Sequence, residues 1–387
     1  MIAKTLIKQI AKKWNYGDFE IIFWTGEKLR IGKNPPKLTL KFKEKISTKA
    51  LFGDTSLVFA EHYMKNKLEI IGDYDELAKL IYYYSNQKEL KTEKNIQSKI
   101  QQKIESKNIK SHYDIGNDFY KLWLDDTMSY SCAYFKTPND SLYQAQINKL
   151  DHTLKKLDLK PGEKLLDIGC GWGWLSIRAA QTYGVEVVGV TISEEQHAEA
   201  TKRVKDLGLE DKITIKLQNY QDLDYVDYFD KVVSVGMFEH VGKENLNLYF
   251  CKVKQVLKPK GSFLLHSIIA MFEGETNAWI DKYIFRGGYL PSLREVISVM
   301  NSWDFHLLLA ESLRIHYAKT LDIWSENFDK VKDKAEAKYD KEFVRMWDLY
   351  LKSCASAFRV GGIDLYQFLI TKETNNELQL TKEYIYK

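Results

Sequence analysis

Three glycines at alternate positions, Gly169, Gly171 and Gly173, follow Leu165-Leu166-Asp167-Ile168 and precede Trp174. The apolar run predicts a buried strand over 164–168, and the glycines a tight turn into a helix over 174–183. A turn without Cβ atoms lets the backbone press against a ligand. The following helix start offers its N–H groups to that ligand. A dinucleotide fingerprint would need G-x-G-x-x-G and an acid about 20 residues on. Here the third glycine comes one residue early and Trp174 takes the fingerprint's glycine position. The second predicted strand, 185–190, ends in Thr191 rather than an acid.

Asp-x-Gly-x-Gly-x-Gly after an apolar strand instead resembles the turn of S-adenosylmethionine-dependent methyltransferases; NAD binding and a purely structural turn remain the alternatives. Two further stretches, 112–120 (HYDIGNDFY) and 128–135 (MSYSCAYF), are dense in polar and aromatic residues without a period, as binding loops are. By residue type alone, the other chemistry-bearing groups have ordinary readings too. Cys132 reads as a small buried hydrophobe, Glu239 and His240 as loop caps, and His266 as a core histidine. Tyr317 is one of 24 tyrosines. Cys354 sits in a helical, apolar setting with Leu351, Ala355 and Phe358.

Elements must bring these groups together. Strands are predicted at 164–168, 185–190, 212–217, 230–235, 262–267, about 304–310 and 365–371. Helices are predicted at 141–157, 174–183, 194–207, 243–256, 292–300, 318–334 and 340–357. This alternation predicts an α/β fold, a parallel sheet covered by helices on both faces. Its ligand belongs beyond the carboxyl ends of the strands, where the glycine turn, Thr191, Asn219, Glu239 and His266 fall. Ahead of it, residues 1–87 read as a small α+β domain, with an amphipathic helix over 2–14, short strands at 19–24, 28–31, 37–42 and 67–71, and a helix over 75–84. The polar, lysine-rich segment 88–111 reads as a linker, helical or disordered, and 112–387 as the catalytic domain.

Composition narrows the function classes. No run of about 18 apolar residues and no signal peptide is seen, which predicts a chain that does not span a membrane and works in the cytoplasm. Four widely spaced cysteines predict neither a zinc site nor a disulfide scaffold, so no metal is expected. Residues 1–50 hold 12 Lys and Arg against four acids, a balance of +8 in a chain of net +4. Such a module suits an anionic surface. No target-base motif points to nucleic acid.

The blocks at 112–120, 128–135, 165–174 (LLDIGCGWGW), 187–196 (VVGVTISEEQ), 234–242 (SVGMFEHVG) and 279–285 (WIDKYIF) together resemble the cyclopropane-fatty-acyl-phospholipid synthase family, in its order and at its spacing. The resemblance implies a class I methyltransferase sheet of Rossmann-like type behind an N-terminal lipid-binding domain. It implies transfer of a methyl from S-adenosylmethionine to a cis double bond of a phospholipid acyl chain. A base then removes a proton so that a cyclopropane ring closes, and in the family that base is a bound bicarbonate ion. By family match the bicarbonate cage is Cys132, Glu239, His266, Tyr317 and the backbone of Ile268, with Cys354 as an alternative thiolate base. The cofactor is matched to Tyr130, Ser131, Asp167, Gly169, Gly171 and Trp172 at its methionine end. Thr191, Ile192, Gln196, Asn219, Tyr220 and Gln221 are matched to its ribose and adenine. The resemblance further implies a homodimer, peripheral at the inner face of an anionic phospholipid bilayer and taking unsaturated acyl chains. A related C- or N-methyltransferase and a non-enzymatic lipid-binding protein are the competing readings.

Overall fold

The computed structural model describes residues 2–13, 17–89 and 115–386. Trp14, the 90–111 stretch of the predicted linker, and residues 112–114 of the first binding-loop block lie outside them. Packing divides the chain into two compact units. One gathers residues 1–102, 276–284 and 321–362, the other 103–275, 285–320 and 363–387.

In the first unit, strands β1 (Phe19–Ile22), β2 (Lys28–Ile31), β3 (Leu38–Phe42) and β4 (Leu68–Gly72) pair in the order β2-β1-β3-β4. Alternation puts Phe19 and Ile21 of β1 and Leu38, Leu40 and Phe42 of β3 on the buried side. The helix Ile2–Lys13 closes over them with Ala3, Ile7 and Ala11 at helical spacing. A helix not foreseen from sequence, Thr55–Met64, starts where the Asp54 carboxylate accepts the Leu57 N–H at 2.9 Å. Several of the lysines behind the +8 balance are paired. Lys4 and Lys8 meet Glu27, and Lys41 and Lys43 meet Glu69.

The second unit is built on seven strands: β5 (Lys164–Ile168), β6 (Glu186–Thr191), β7 (Ile213–Leu217), β8 (Phe229–Val235), β9 (Leu257–Ala270), β10 (Phe305–Ser312) and β11 (Ile363–Lys372). Their order is β10-β11-β9-β8-β5-β6-β7. β5 to β9 are parallel, as expected. β11 runs antiparallel to both β9 and β10, which corrects the all-parallel expectation. The reason lies between β10 and β11: residues 321–362 cluster in the first unit. A connection routed through the first unit imposes no right-handed parallel crossover on β11.

Neighbouring residues of one strand serve opposite faces. Leu166, Val232, Phe263 and Leu265 face the helices Leu246–Val256 and Leu293–Asn301. Leu165, Val233, Leu264 and Leu369 face the helices Leu142–Leu157 and Trp174–Tyr183. β5 pairs with β8 on one side and β6 on the other. The strand order reverses there, and the crevice at the carboxyl ends opens at that point.

Candidate active site

All twelve residues matched to the cofactor line one cavity at this crevice, about 1240 Å³ with its open mouth included. Its floor is the glycine turn. Gly169 has φ +80°, and a Cβ there would lie 2.8 Å from Met237. The Gly169 and Cys170 N–H groups donate to the Val190 carbonyl at 2.9 and 3.0 Å, clamping the turn to β6. At Gly171, φ is +56° and an added Cβ would meet nothing within 4 Å, so that stretch of backbone stands open. Asp167 is buried and accepts the Ser176 hydroxyl at 2.8 Å. Burial pushes its carboxyl up to about 6, against the opposing pull of Ser176 and Lys149.

The side walls are fixed by short polar contacts. The Thr191 hydroxyl donates to Gln196 Oε1 at 2.8 Å, leaving the Gln196 NH₂ as the group offered to a ligand. Asn219 Oδ1 accepts the Gln221 N–H at 3.0 Å, and Gln221 Nε2 donates to the Tyr220 hydroxyl at 3.3 Å. Tyr130 packs against Tyr120 and Trp123, with ring centroids 5.3 and 5.7 Å away. Trp172 joins them through Tyr120 at 5.6 Å, and its indole N–H donates to Asn117 Oδ1 at 2.8 Å. Two residues that the sequence did not single out hold Ser131. Gln146 donates to its carbonyl and Lys149 Nζ to its hydroxyl, each at 2.9 Å.

Lys149 is buried in this wall. Burial lowers its ammonium to about 8, although Cys132, Asp125 and Asp167 pull the other way. A signal for it was present. Gln146, Lys149, Thr153 and Lys156 recur at spacings of three and four along the helix Leu142–Leu157, a polar stripe on its buried face.

A second cluster sits at the same edge. Glu239, in the short turn Phe238–His240 after β8, is buried, and its Oε1 accepts the Ile268 N–H at 2.7 Å. That backbone donor is therefore engaged with Glu239. Glu239 Oε2 is buried with no hydrogen-bond partner. Burial raises this carboxyl to about 7, more than its hydrogen bonds lower it. His266 on β9 is also buried, and its Nε2 has no partner. Burial, with help from Lys149, Lys156 and His152, holds its pKa well below the usual histidine range.

Cys132 is fully buried, and its thiol donates to the Ala133 carbonyl at 3.2 Å. Burial pushes that thiol far up, so it is not a thiolate near neutrality. Its loop is stitched to residues 314–320. The Ala133 N–H donates to Thr320 Oγ1 and the Phe135 N–H to His316 Nδ1, both at 3.1 Å. Tyr317 lies between them on that helix, one turn from Leu313 and Thr320. Cys354 belongs to the first unit, apart from the other five candidates, and its surroundings raise it to about 12. His240, which lines the cavity, is lowered to about 4 by burial.

The residues fit both implied groups. An elongated cofactor with amino-acid, ribose and base parts finds an open backbone cradle, a buried acid, an amide and aromatic rings in one cleft. A small oxyanion carrying one proton matches a bare imidazole nitrogen and a bare carboxyl oxygen, since it can accept from one and donate to the other. Among the described residues no group of three His, Cys, Asp or Glu could hold a metal ion. No described helix is long and apolar enough to cross a membrane.

Known proteins bear on this geometry. The mycolic acid cyclopropane synthetase family matches residues 100–368, and a domain family of unknown function matches 6–95. A probable fatty acid methyltransferase of Pseudomonas putida is 38% identical over 94% of this chain and 95% of its own. The cyclopropane-fatty-acyl-phospholipid synthase of Escherichia coli K12 is 43% identical over 70% of each chain. Among solved structures, the cyclopropane synthase MmaA2 from Mycobacterium tuberculosis superposes with a TM-score of 0.66 at 36% identity, covering 69% of this chain and 98% of that one. CmaA1 complexed with SAH and CTAB gives 0.65 at 37%, with the same coverage.

Proposed function

The chain belongs to the mycolic acid cyclopropane synthetase family, and from that premise we propose a specific reaction. It transfers a methylene group from S-adenosylmethionine to the cis double bond of unsaturated acyl chains in membrane phospholipids, with bound bicarbonate as the base. The observation that carries this reading is the pair of buried atoms without partners, Glu239 Oε2 and His266 Nε2. Eleven buried side-chain polar atoms among the described residues lack a hydrogen-bond partner. These two belong to an acid and a base at one sheet edge, Glu239 being held by the Ile268 N–H two residues along β9 from His266. Such a pair suits a small guest that both donates and accepts.

When bound, S-adenosylmethionine supplies an activated methyl on sulfonium sulfur, and bicarbonate supplies the base for the proton lost at ring closure. Gly169, Gly171 and the Trp172 backbone cradle the methionine end, with Tyr130 and Ser131 over it. Gln196 offers its NH₂ to the ribose oxygens in place of the more common acid. Asn219, Tyr220 and Gln221 flank the adenine. The His266 ring would donate to the anion and Glu239 would exchange a proton with it, as a carboxyl pushed up to about 7 can do at neutral pH. Tyr317 and Cys132 complete the wall. Cys354 packs and takes no part in proton transfer.

Residues 1–87 are proposed to dock on anionic bilayers and present the acyl chain. The basic balance of residues 1–50 supports this, while the first helix buries Ala3, Ile7 and Ala11 in the core of its own unit. The internal pairs of Lys4, Lys8, Lys41 and Lys43 leave fewer lysines for lipid than the count suggests.

The test is incubation with methyl-labelled S-adenosylmethionine and vesicles of unsaturated phospholipid, with and without bicarbonate. Labelled cyclopropane lipid that depends on bicarbonate is expected. A methylated but acyclic product, or transfer only to an amine, would replace this reading with the sibling methyltransferase chemistry. Vesicle binding indifferent to salt would remove the electrostatic docking.

A further inference from the structure

Gln367 of β11 stands directly opposite His266 of β9 in the antiparallel ladder and is fully buried. Its amide makes three contacts, and they fix which end is which. Lys156 Nζ lies 2.6 Å from Gln367 Oε1. An ammonium carries donors only, so the amide oxygen must face it; a flipped amide would set NH₂ against NH₃⁺. Burial lowers the Lys156 ammonium, and Glu311 opposes that fall. Its carboxylate binds Lys156 and, at 2.7 Å, His152 Nε2, and these partners overcome burial to hold it at about 2.

With the oxygen committed, the NH₂ end reaches two acceptors. It donates to Thr153 Oγ1 at 3.0 Å and meets His266 Nδ1 at 3.0 Å. A ring nitrogen that accepts a hydrogen bond carries no proton. The neutral imidazole must then hold its single proton on Nε2, the buried atom that no protein group meets.

We infer that Gln367 is a positioning residue that locks His266 in its Nε2–H tautomer, so that the ring presents a fixed donor, never an acceptor, beside Glu239. The identity of the guest on Nε2–H rests on the bicarbonate reading above; the lock itself does not. The order runs Glu311 to Lys156 to Gln367 to His266, each group dictating the orientation of the next. The helix Leu142–Leu157 supplies Thr153 and Lys156, which gives part of its buried polar stripe a purpose.

The test is a two-bond proton–nitrogen correlation spectrum of full-length protein labelled at histidine ring nitrogens, with His266→Asn to assign the signals. Wild-type His266 is expected to show a bare Nδ1 and a protonated Nε2. A protonated Nδ1 in the wild type overturns the lock, and that measurement needs no variant to fold. In Gln367→Glu the carboxylate keeps Lys156 but accepts from the ring, so the proton should move to Nδ1. The apparent affinity for bicarbonate should then fall roughly tenfold to a hundredfold, with the KM for S-adenosylmethionine unchanged. A folded Gln367→Glu with an unchanged His266 spectrum also overturns it. If the spectra behave as expected but activity ignores bicarbonate, the lock stands and the anion reading alone fails.

Discussion

The cofactor cleft and the Glu239–His266 pair share one sheet edge but are finished differently. In the cleft Thr191, Asn219 and Ser131 each hold a protein hydrogen bond, and the open surface is largely backbone at Gly171. In the pair the polar groups are only half satisfied. Glu239 uses Oε1 and leaves Oε2, while His266 uses Nδ1 and leaves Nε2. The first arrangement holds a shape for a large ligand that brings its own binding energy. The second leaves one buried polar atom on each of two ionisable side chains without a protein partner.

The sharpest way to break this contrast is Glu239→Gln. Cyclopropane formation should fall about 10²–10⁴-fold, while S-adenosylmethionine binding by calorimetry stays within a few-fold. Loss of cofactor binding instead would mean that the two regions are one.

Gly169→Ala probes the other side. A Cβ 2.8 Å from Met237 at φ +80° should cost about 1–3 kcal/mol of stability and weaken cofactor affinity, read by thermal unfolding and calorimetry. Unchanged values would show that the turn tolerates what its geometry forbids.

The pH dependence separates the buried acids from the buried histidines by sign. Folded Glu239 keeps its proton to about pH 7, whereas the unfolded side chain loses it near the ordinary glutamate value of 4.5. The folded state thus binds more protons between these values, so stability falls as pH rises through that window, by roughly 3 kcal/mol. Asp167, raised to about 6, adds a decline of the same sign. Buried His240 and His266 act oppositely, losing stability as pH falls below the ordinary histidine range. The difference between wild type and Glu239→Gln in denaturant midpoints across pH 4.5–7 isolates the carboxyl; a flat difference would contradict its burial. The smallest effect belongs to Cys354→Ser, expected to change turnover less than about twofold because a thiol raised to about 12 is no base.

Much of this was legible in the chain. The glycine turn and the alternation of apolar runs at 164–168, 186–191 and 229–235 are local signals, because a buried strand and a tight turn each need particular residues within a few positions. The direction of β11 was not legible, since it depends on where the helices before it pack. Lys149 and Gln367 were missed for a related reason. A lysine on a polar-looking helix and a glutamine in an apolar strand declare their roles only when burial and a partner far along the chain are known, as with Gln367 and His266. Cys132 and Cys354 illustrate the converse. The family resemblance, not residue type, made both candidates for chemistry, and burial keeps both thiols protonated.

The amide between His266 and Lys156 also sets a boundary for proton traffic. A carboxamide can hand on orientation but not a hydron, for it has no readily exchanged acidic tautomer. The charged group of Glu311, Lys156 and His152 is thus electrically sensed by the imidazole yet chemically insulated from it. Under the proposed reaction, the proton lost at ring closure therefore has no exit through Gln367.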